Sequence, residues 1–304
     1  MTASSASEPF HAVAPYYDRL MSGIPYIWWF HYIEALLMHV MGHLEGEPLG
    51  EPKHPKLEGE PPGEPKTTAE ISPPQKPSRE RSEGGISEPL GGNSWPRTVL
   101  DLCCGTGNLT ELFYINGYQV VGVDISAPMI EQARRKAHAD GYAIPYYVQD
   151  AADLELPHTF DLVVSVFDSL NNLIEPDRFA QCLQRVYRHL NMPGAFVFDL
   201  NTEYAFVHKM FDQSERRRYA PVRYRWRSEY DPTTRLCTIR MEFWVNEAGK
   251  ERYFVEVHRQ RAYSDAEVRS MLQAAGFRKV HAFDAYTLNP LHRRSDRVFY
   301  VALR

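Results

Sequence analysis

The stretch between residues 98 and 124, TVLDLCCGTGNLTELFYINGYQVVGVD, constrains the fold of this chain more than any other part. Thr98–Cys103 is apolar and rich in β-branched residues, which predicts a buried strand. A helix capped by Asn108 and ended by Gly117 then leads to a second apolar strand, Tyr118–Val123. Strand, helix and strand in this order are the repeating unit of a parallel α/β sheet.

The loop between the first strand and the helix predicts a nucleoside site. Gly105 and Gly107 allow backbone to approach a ligand closely, and Asp124 closes the second strand where an acid can bind ribose hydroxyls. A dinucleotide site would have a third glycine, but Thr110 stands there. The carboxylate of Asp101, just before the glycines, would repel a pyrophosphate. It suits a ligand that carries an ammonium and a sulfonium.

Four motifs in order resemble those of the class I S-adenosylmethionine (SAM) methyltransferases. DLCCGTGNL is similar to their first motif and VVGVDIS to their second. VQDAADLE resembles the adenine-contacting turn, and FDLVVSVFDSLNNL resembles the fourth strand with its following loop. The resemblance covers about residues 99–201. It implies a Rossmann-like α/β fold with a seven-stranded sheet, and SAM as methyl donor.

The resemblance also implies a cofactor site. Asp101 and the glycines would shape its methionine end, Asp124 would take the ribose, and the Asp150 carboxylate would accept the adenine amino group, although a solvated loop acid is the alternative for Asp150. The complete set implied is Tyr17, Trp29, Asp101, Cys103, Gly105, Gly107, Asp124, Ile125, Met129, Asp150, Ala151 and Phe167.

Residues 1–44 are interpreted as a frayed tail, residues 1–11, followed by a helical lid. The segment with Tyr17 and Trp29 is similar to one that covers the cofactor in some small-substrate methyltransferases, although both could be core aromatics. The apolar stretch Ile24–Leu44 is interrupted by Glu34 and by histidines, so a buried amphipathic helix is favoured over a membrane span. Its predicted core face is Ile27, Phe30, Ile33, Leu37, Val40 and Leu44.

Residues 45–96 predict a disordered insertion rich in Pro, Gly and Glu. Half of the 22 prolines of the chain fall there. Such a segment buries too little apolar surface to offset its chain entropy. Residues 97–304 would then form the SAM-binding domain.

Residues 202–262 interrupt the strand–helix alternation and predict an inserted antiparallel sheet of three strands. Side chains alternate along the first strand, with Arg223, Arg225 and Arg227 on one face and Tyr224 and Trp226 on the other. The resemblance implies that this sheet roofs the substrate pocket. A helix capped by Ser264 and two closing strands complete the predicted domain.

Asp168 and His258 are the leading candidates for the acceptor side. Asp168 follows the predicted fourth strand and could orient a substrate amine or hydroxyl, or serve as a cap. His258 has a suitable intrinsic pKa for a base, or could be a structural hydrogen-bonding group. The predicted reaction is transfer of a methyl group to a nitrogen or oxygen of a small molecule. A noncatalytic SAM-binding partner protein and a nicotinamide-dependent oxidoreductase are the alternatives.

Composition limits the remaining choices. A net charge of −5 argues against a nucleic-acid partner. The four cysteines form no CxxC pair, and no signal peptide or metal-binding motif is present, which predicts a reduced, cytoplasmic protein without a metal or a membrane segment. The sequence does not predict the oligomeric state.

Overall fold

The structure is a computed structural model of the chain. It describes residues 10–42, 96–217, 220, 222–247 and 249–304. The predicted disordered insertion, residues 45–96, lies outside the described residues except for Pro96.

The described chain contains eleven strands, seven α-helices and three short 3-10 helices, Ala14–Tyr16, Ala151–Asp153 and Ser169–Asn172. The strands are β1 (Thr98–Leu102), β2 (Gln119–Asp124), β3 (Tyr146–Val148), β4 (Phe160–Ser165), β5 (Leu190–Asn201), β6 (Gln213–Glu215), β7 (Arg223–Asp231), β8 (Leu236–Glu247), β9 (Lys250–Arg261), β10 (Lys279–Asp284) and β11 (Arg297–Leu303). The α-helices are α1 (Tyr17–Leu20), α2 (Tyr26–Gly42), α3 (Asn108–Ile115), α4 (Ala127–Asp140), α5 (Pro176–His189), α6 (Glu203–Val207) and α7 (Asp265–Ala275).

The central sheet has seven strands in the order β10-β11-β5-β4-β1-β2-β3. Strands β1 to β5 run parallel, and β11 is antiparallel to both of its neighbours, β5 and β10. The chain reverses its direction of winding at β1, which lies between β2 and β4. In open α/β sheets a ligand binds at such a switch point, beyond the carboxyl ends of the strands. The predicted Rossmann-like class is confirmed.

Apolar helix faces cover both sides of the central sheet. Helices α2, α3 and α4 bury their apolar residues against one face, together with Val99 and Val164 of the sheet. Helices α5 and α7 pack on the other face, against Leu100 and Val163. Neighbouring strand residues thus alternate between two cores, as a sheet covered on both faces requires.

The inserted antiparallel sheet has four strands, in the order β6-β7-β8-β9, where the sequence predicted three. The missed strand, β6, is only three residues long and carries no apolar alternation. Alternation along β7 is as predicted, because Tyr224 is buried while Arg227 is exposed. Helix α7 also begins as predicted, with Ser264 accepting a hydrogen bond from the Glu267 amide in a capping box.

Helix α2 confirms most of the predicted N-terminal core face. Phe30, Ile33, Leu37 and Val40 are buried in it, and Leu44 lies outside the described residues. Ile27 was assigned wrongly: it is 58% exposed, because it falls on the same helix face as the exposed His31. Within the described part of the chain, no helix combines the length and the apolarity that crossing a bilayer requires.

Candidate active site

The glycine loop after β1 turns through left-handed backbone at several positions. Gly105 and Gly107 have φ angles of 56° and 80°. A Cβ at residue 107 would lie 2.5 Å from the hydroxyl oxygen of Tyr146, so only glycine fits there without displacing that ring. Cys103 also has a positive φ, of 63°, although it is not a glycine. Backbone strain of this kind, worth about 1–3 kcal/mol per residue, is concentrated at functional sites.

Asp124, at the end of β2, fixes the same loop. Its carboxylate accepts hydrogen bonds of 2.8 Å from the backbone amides of Gly105 and Ser126, one on each oxygen. Burial raises the pKa of Asp124, and these amide donors oppose that rise. A carboxylate offers about four acceptor positions, so each oxygen keeps one for a ligand hydroxyl.

Asp101 is a second buried carboxyl group beneath the loop. It accepts a 2.5 Å hydrogen bond from the Thr110 hydroxyl, and burial raises its pKa to about 7. Asp124 contributes to that rise through repulsion between the two carboxylates. A cationic ligand group beside Asp101 would lower the pKa again, because it favours the ionised form.

A cavity of about 660 Å³, counting its open mouth, lies over the glycine loop; we call it the loop cavity. Its lining is Phe10, Tyr17, Tyr26, Asp101, Cys103, Cys104, Gly105, Thr106, Asn108, Leu109, Asp124, Met129, Val166, Phe167, Asp168, Ser169 and Asn172. Most of the predicted cofactor-binding residues are thus brought together. Phe10, Tyr26 and Thr106 were missed, and Phe10 was expected in a frayed tail.

The N-terminal segment Phe10–Leu20, here called the strap, closes this cavity. At its start, Glu256 of β9 accepts hydrogen bonds from the backbone amides of Phe10 (3.0 Å) and Val13 (2.9 Å). Near its end, Asp18 accepts a 2.5 Å hydrogen bond from the Thr106 hydroxyl of the glycine loop. The strap is therefore fastened to both the inserted sheet and the glycine loop.

The turn after β4 places two predicted residues at the cavity wall. Phe167 and Asp168 are both left-handed, with φ angles of 64° and 49°. The Asp168 carboxylate receives a 2.9 Å ion pair from Arg297 on one oxygen and a 2.6 Å hydrogen bond from the Gln260 side chain on the other. Arg297 also binds the buried carboxylate of Asp199. Asp168 is thus held in one orientation at the rim.

A second cavity, of about 590 Å³ counting its mouth, lies on the far side of Phe167; we call it the aromatic cavity. It is lined by Leu20, Met21, Ile24, Pro25, Trp29, Phe167, Gln213, Tyr224, Trp226, Tyr286 and Arg297. Trp29, which the sequence assigned to the cofactor, lines this cavity and stacks on Phe167 at 4.1 Å between ring centroids.

Besides Trp29, four of the predicted cofactor residues are absent from the lining of the loop cavity within the described chain: Gly107, Ile125, Asp150 and Ala151. Ile125, which is 63% exposed, follows β2, and Asp150 and Ala151 follow β3, so they border the adjacent strand ends. The Asp150 carboxylate is already engaged, by the Ala152 amide and by Arg178, both at 2.8 Å. Its adenine contact stays a prediction.

His258 has a structural environment rather than that of an exposed base. It is buried, and its Nε2 lies 2.8 Å from the Glu256 carboxylate that holds the strap. The ring of Phe10 covers it edge-on at 4.3 Å. His258 is not among the described residues that line either cavity, and its role as a base stays a prediction.

Comparisons with known proteins agree with this geometry. A methyltransferase-domain family model matches residues 99–194. A Geobacillus sp. protein assigned as a methyltransferase is 30% identical over 212 residues, which cover 69% of this chain and 86% of that protein. The crystal structure of a SAM-dependent methyltransferase from Clostridium acetobutylicum aligns with a TM-score of 0.62 at 26% identity, over 68% of this chain and 83% of that one.

A sugar N-methyltransferase of Streptoalloteichus sp. aligns with a TM-score of 0.58 at 22% identity, over 69% of this chain and 80% of that one. This similarity concerns the fold alone. A nucleoside-binding α/β fold with acids at the ends of β1 and β2 is the architecture of a SAM-dependent enzyme. The chain belongs to the class I SAM-dependent methyltransferase family. It is a methyltransferase rather than a nicotinamide-dependent oxidoreductase, and SAM is its methyl donor.

Proposed function

We propose that SAM lies in the loop cavity and that its methyl group passes to a nitrogen or oxygen of a small molecule in the aromatic cavity. Asp101 faces the ammonium of the cofactor, Asp124 binds the ribose hydroxyls, and Tyr17 of the strap covers the methionine portion. Met129 borders the nucleoside, and Asp150 and Ala151 meet the adenine edge at the end of β3.

One observation carries this proposal: the two cavities share a single wall, Phe167. Asp168 lines the loop cavity, and its partner Arg297 lines the aromatic cavity, so the two compartments meet at this ion pair. Displacement at a sulfonium methyl needs nucleophile, carbon and sulfur in line, and aligning them can supply much of the acceleration. Ligands in two compartments that meet at this boundary would lie side by side, and filling both compartments would displace water from the boundary.

Incubation with methyl-labelled SAM and a fractionated extract of small metabolites tests the proposal. We expect label in a compound that gains one CH₂, together with S-adenosylhomocysteine as the second product. Label found only in added RNA or protein would refute the small-molecule acceptor.

Cofactor affinity should depend on pH through Asp101. Its pKa of about 7 in the cofactor-free protein means that a proton competes with the cofactor ammonium below neutrality. The affinity for S-adenosylhomocysteine should therefore rise with pH, by about tenfold between pH 6 and pH 8, and then level off. Calorimetry across this range measures it, and Asp101→Asn should flatten the curve. An identical slope in that variant would assign the titration to another group.

Asp168→Asn should reduce turnover by at least about tenfold while changing the Kd for S-adenosylhomocysteine by less than about threefold. The reason is that each Asp168 oxygen, after its bond to Arg297 or Gln260, keeps a lone pair that can orient the acceptor N–H or O–H. Single-turnover kinetics and calorimetry separate the two effects. Asp265→Asn, at another arginine-paired acid outside both cavities, is the control. Equal rates for Asp168→Asn and the control would remove Asp168 from the acceptor side.

A further inference from the structure

Aromatic rings line the aromatic cavity from two sides. On the side of the central sheet, Trp29 stacks on Phe167 and meets Tyr286 edge-on at 5.0 Å. On the side of the inserted sheet, Tyr224 and Trp226 project from the same face of β7, with their ring centroids 5.2 Å apart. A ligand between the two groups therefore meets ring faces or edges above and below.

The polar groups of this cavity are few, and most are already paired. Arg297 is the one charged residue among the described residues of the lining, and Asp168 and Asp199 neutralise it. Gln213 accepts a 3.5 Å hydrogen bond from the Tyr224 hydroxyl. A ligand with many hydroxyl groups would lose its hydration here without finding replacement partners, which is costly.

The indole N–H of Trp226 is different. It is buried, and within the described residues it has no hydrogen-bond acceptor. Buried donors in folded proteins are nearly always satisfied, and Trp226 is a lining residue, so a ligand acceptor can supply the missing partner after a small turn of the indole ring. The cavity thus offers stacking surfaces and, in Trp226, a donor that lacks an acceptor among the described residues.

We propose that the methyl acceptor is a neutral, planar ring compound with a hydrogen-bond acceptor for the Trp226 indole N–H; this rests on the proposed function of the site. The ring lies between the Trp29 side and the Trp226 side, where aromatic contacts favour a flat molecule over a saturated one. Its nitrogen or oxygen lone pair forms the new bond to carbon, and the electrons of the broken S–CH₃ bond remain on sulfur. The acceptor proton is lost to solvent.

Binding of three probes in the presence of excess S-adenosylhomocysteine tests this class. The probes are 2-naphthol, its saturated counterpart decahydro-2-naphthol, and glucosamine. We expect 2-naphthol to bind at least about tenfold more tightly than the saturated alcohol, as several aromatic contacts predict, and glucosamine to bind most weakly. Equal affinity for the two bicyclic alcohols, or tighter binding of glucosamine, would overturn the proposal.

Two matched variants locate the contact. Trp226→Phe keeps a ring but removes the N–H, and we expect about threefold to tenfold weaker 2-naphthol binding, as for one lost hydrogen bond. Trp244→Phe is the control, because Trp244 lies on β8 of the same sheet and lines a different surface pocket. If both variants bind 2-naphthol like the parent protein, or both weaken it equally, the assigned contact is wrong.

This experiment separates the two proposals. Probe binding needs no turnover, whereas the proposed function is tested by label transfer from SAM. Transfer to an amino sugar together with no preference for 2-naphthol would overturn the planar acceptor and leave small-molecule methylation intact. Selective 2-naphthol binding with label appearing only in a macromolecule would overturn the proposed function instead.

Discussion

Asp124→Ala is expected to lower the affinity for S-adenosylhomocysteine by at least about a hundredfold. The carboxylate has two tasks, since it holds the amides of Gly105 and Ser126 and, in our proposal, binds the ribose hydroxyls with its remaining lone pairs. Hydrogen bonds to a charged group contribute about 1.5–3 kcal/mol each, and two lost to the ribose give about 3–6 kcal/mol. Release of the Gly105 amide would loosen the loop and add to that loss.

Calorimetry with S-adenosylhomocysteine measures this effect, and Asp161→Ala provides a matched control. Asp161 also holds backbone amides, those of Arg97 (2.8 Å) and Thr98 (3.1 Å), but at the amino end of the central sheet. Its loss should reduce stability and leave cofactor affinity within about twofold. If Asp124→Ala behaves like Asp161→Ala, the ribose contact is wrong.

Local sequence patterns predicted much of the lining of the loop cavity. The spacing from Asp101 through the glycines to Asp124 lies within one strand–loop–helix–strand unit, so neighbouring residues determine its geometry. The same is true of the capping box at the start of α7, in which Ser264 and Glu267 are three residues apart. Short-range signals of this kind are readable because few conformations satisfy them.

The contacts that close the two cavities could not be predicted, because they join distant parts of the chain. Phe10 and Glu256 are 246 residues apart in sequence, and Arg297 and Asp168 are 129 apart. No periodicity relates such residues, and only the closed fold brings them together. Asp150 shows a further difficulty, because an aspartate just before a short helix is equally expected to cap that helix. In the structure Asp150 does cap the 3-10 helix Ala151–Asp153, by accepting a hydrogen bond from the Ala152 amide.

Arg297→Met is expected to destabilise the folded protein by about 3–5 kcal/mol at pH 8. The arginine is buried between two carboxylates, Asp168 and the fully buried Asp199. Removing the cation leaves both acids without their partner, and an uncompensated buried charge is strongly unfavourable. Arg235→Met is the control, because its ion pair with Glu267 is partly exposed and should contribute only about 0–1 kcal/mol.

The loss of unfolding free energy in Arg297→Met should become smaller as the pH falls. Such a pH dependence would identify the unpaired acids as the cause of the loss. Burial raises the pKa of Asp199 to about 6 although Arg297 lowers it, so loss of the arginine raises that pKa further. Just above about pH 6 the folded variant therefore holds a proton on Asp199 that the folded parent does not, so the deficit shrinks as the pH falls toward 6. Below about pH 6 both folded proteins hold this proton, and the deficit stays constant. Denaturant unfolding at pH 8 and pH 5 measures the change.

Adding Asp199→Asn to Arg297→Met should recover at least about 1 kcal/mol at pH 8, because it removes the unpaired charge. A deficit that is the same at both pH values, and is not reduced by Asp199→Asn, would mean that Arg297 stabilises the fold by packing rather than by neutralising these acids.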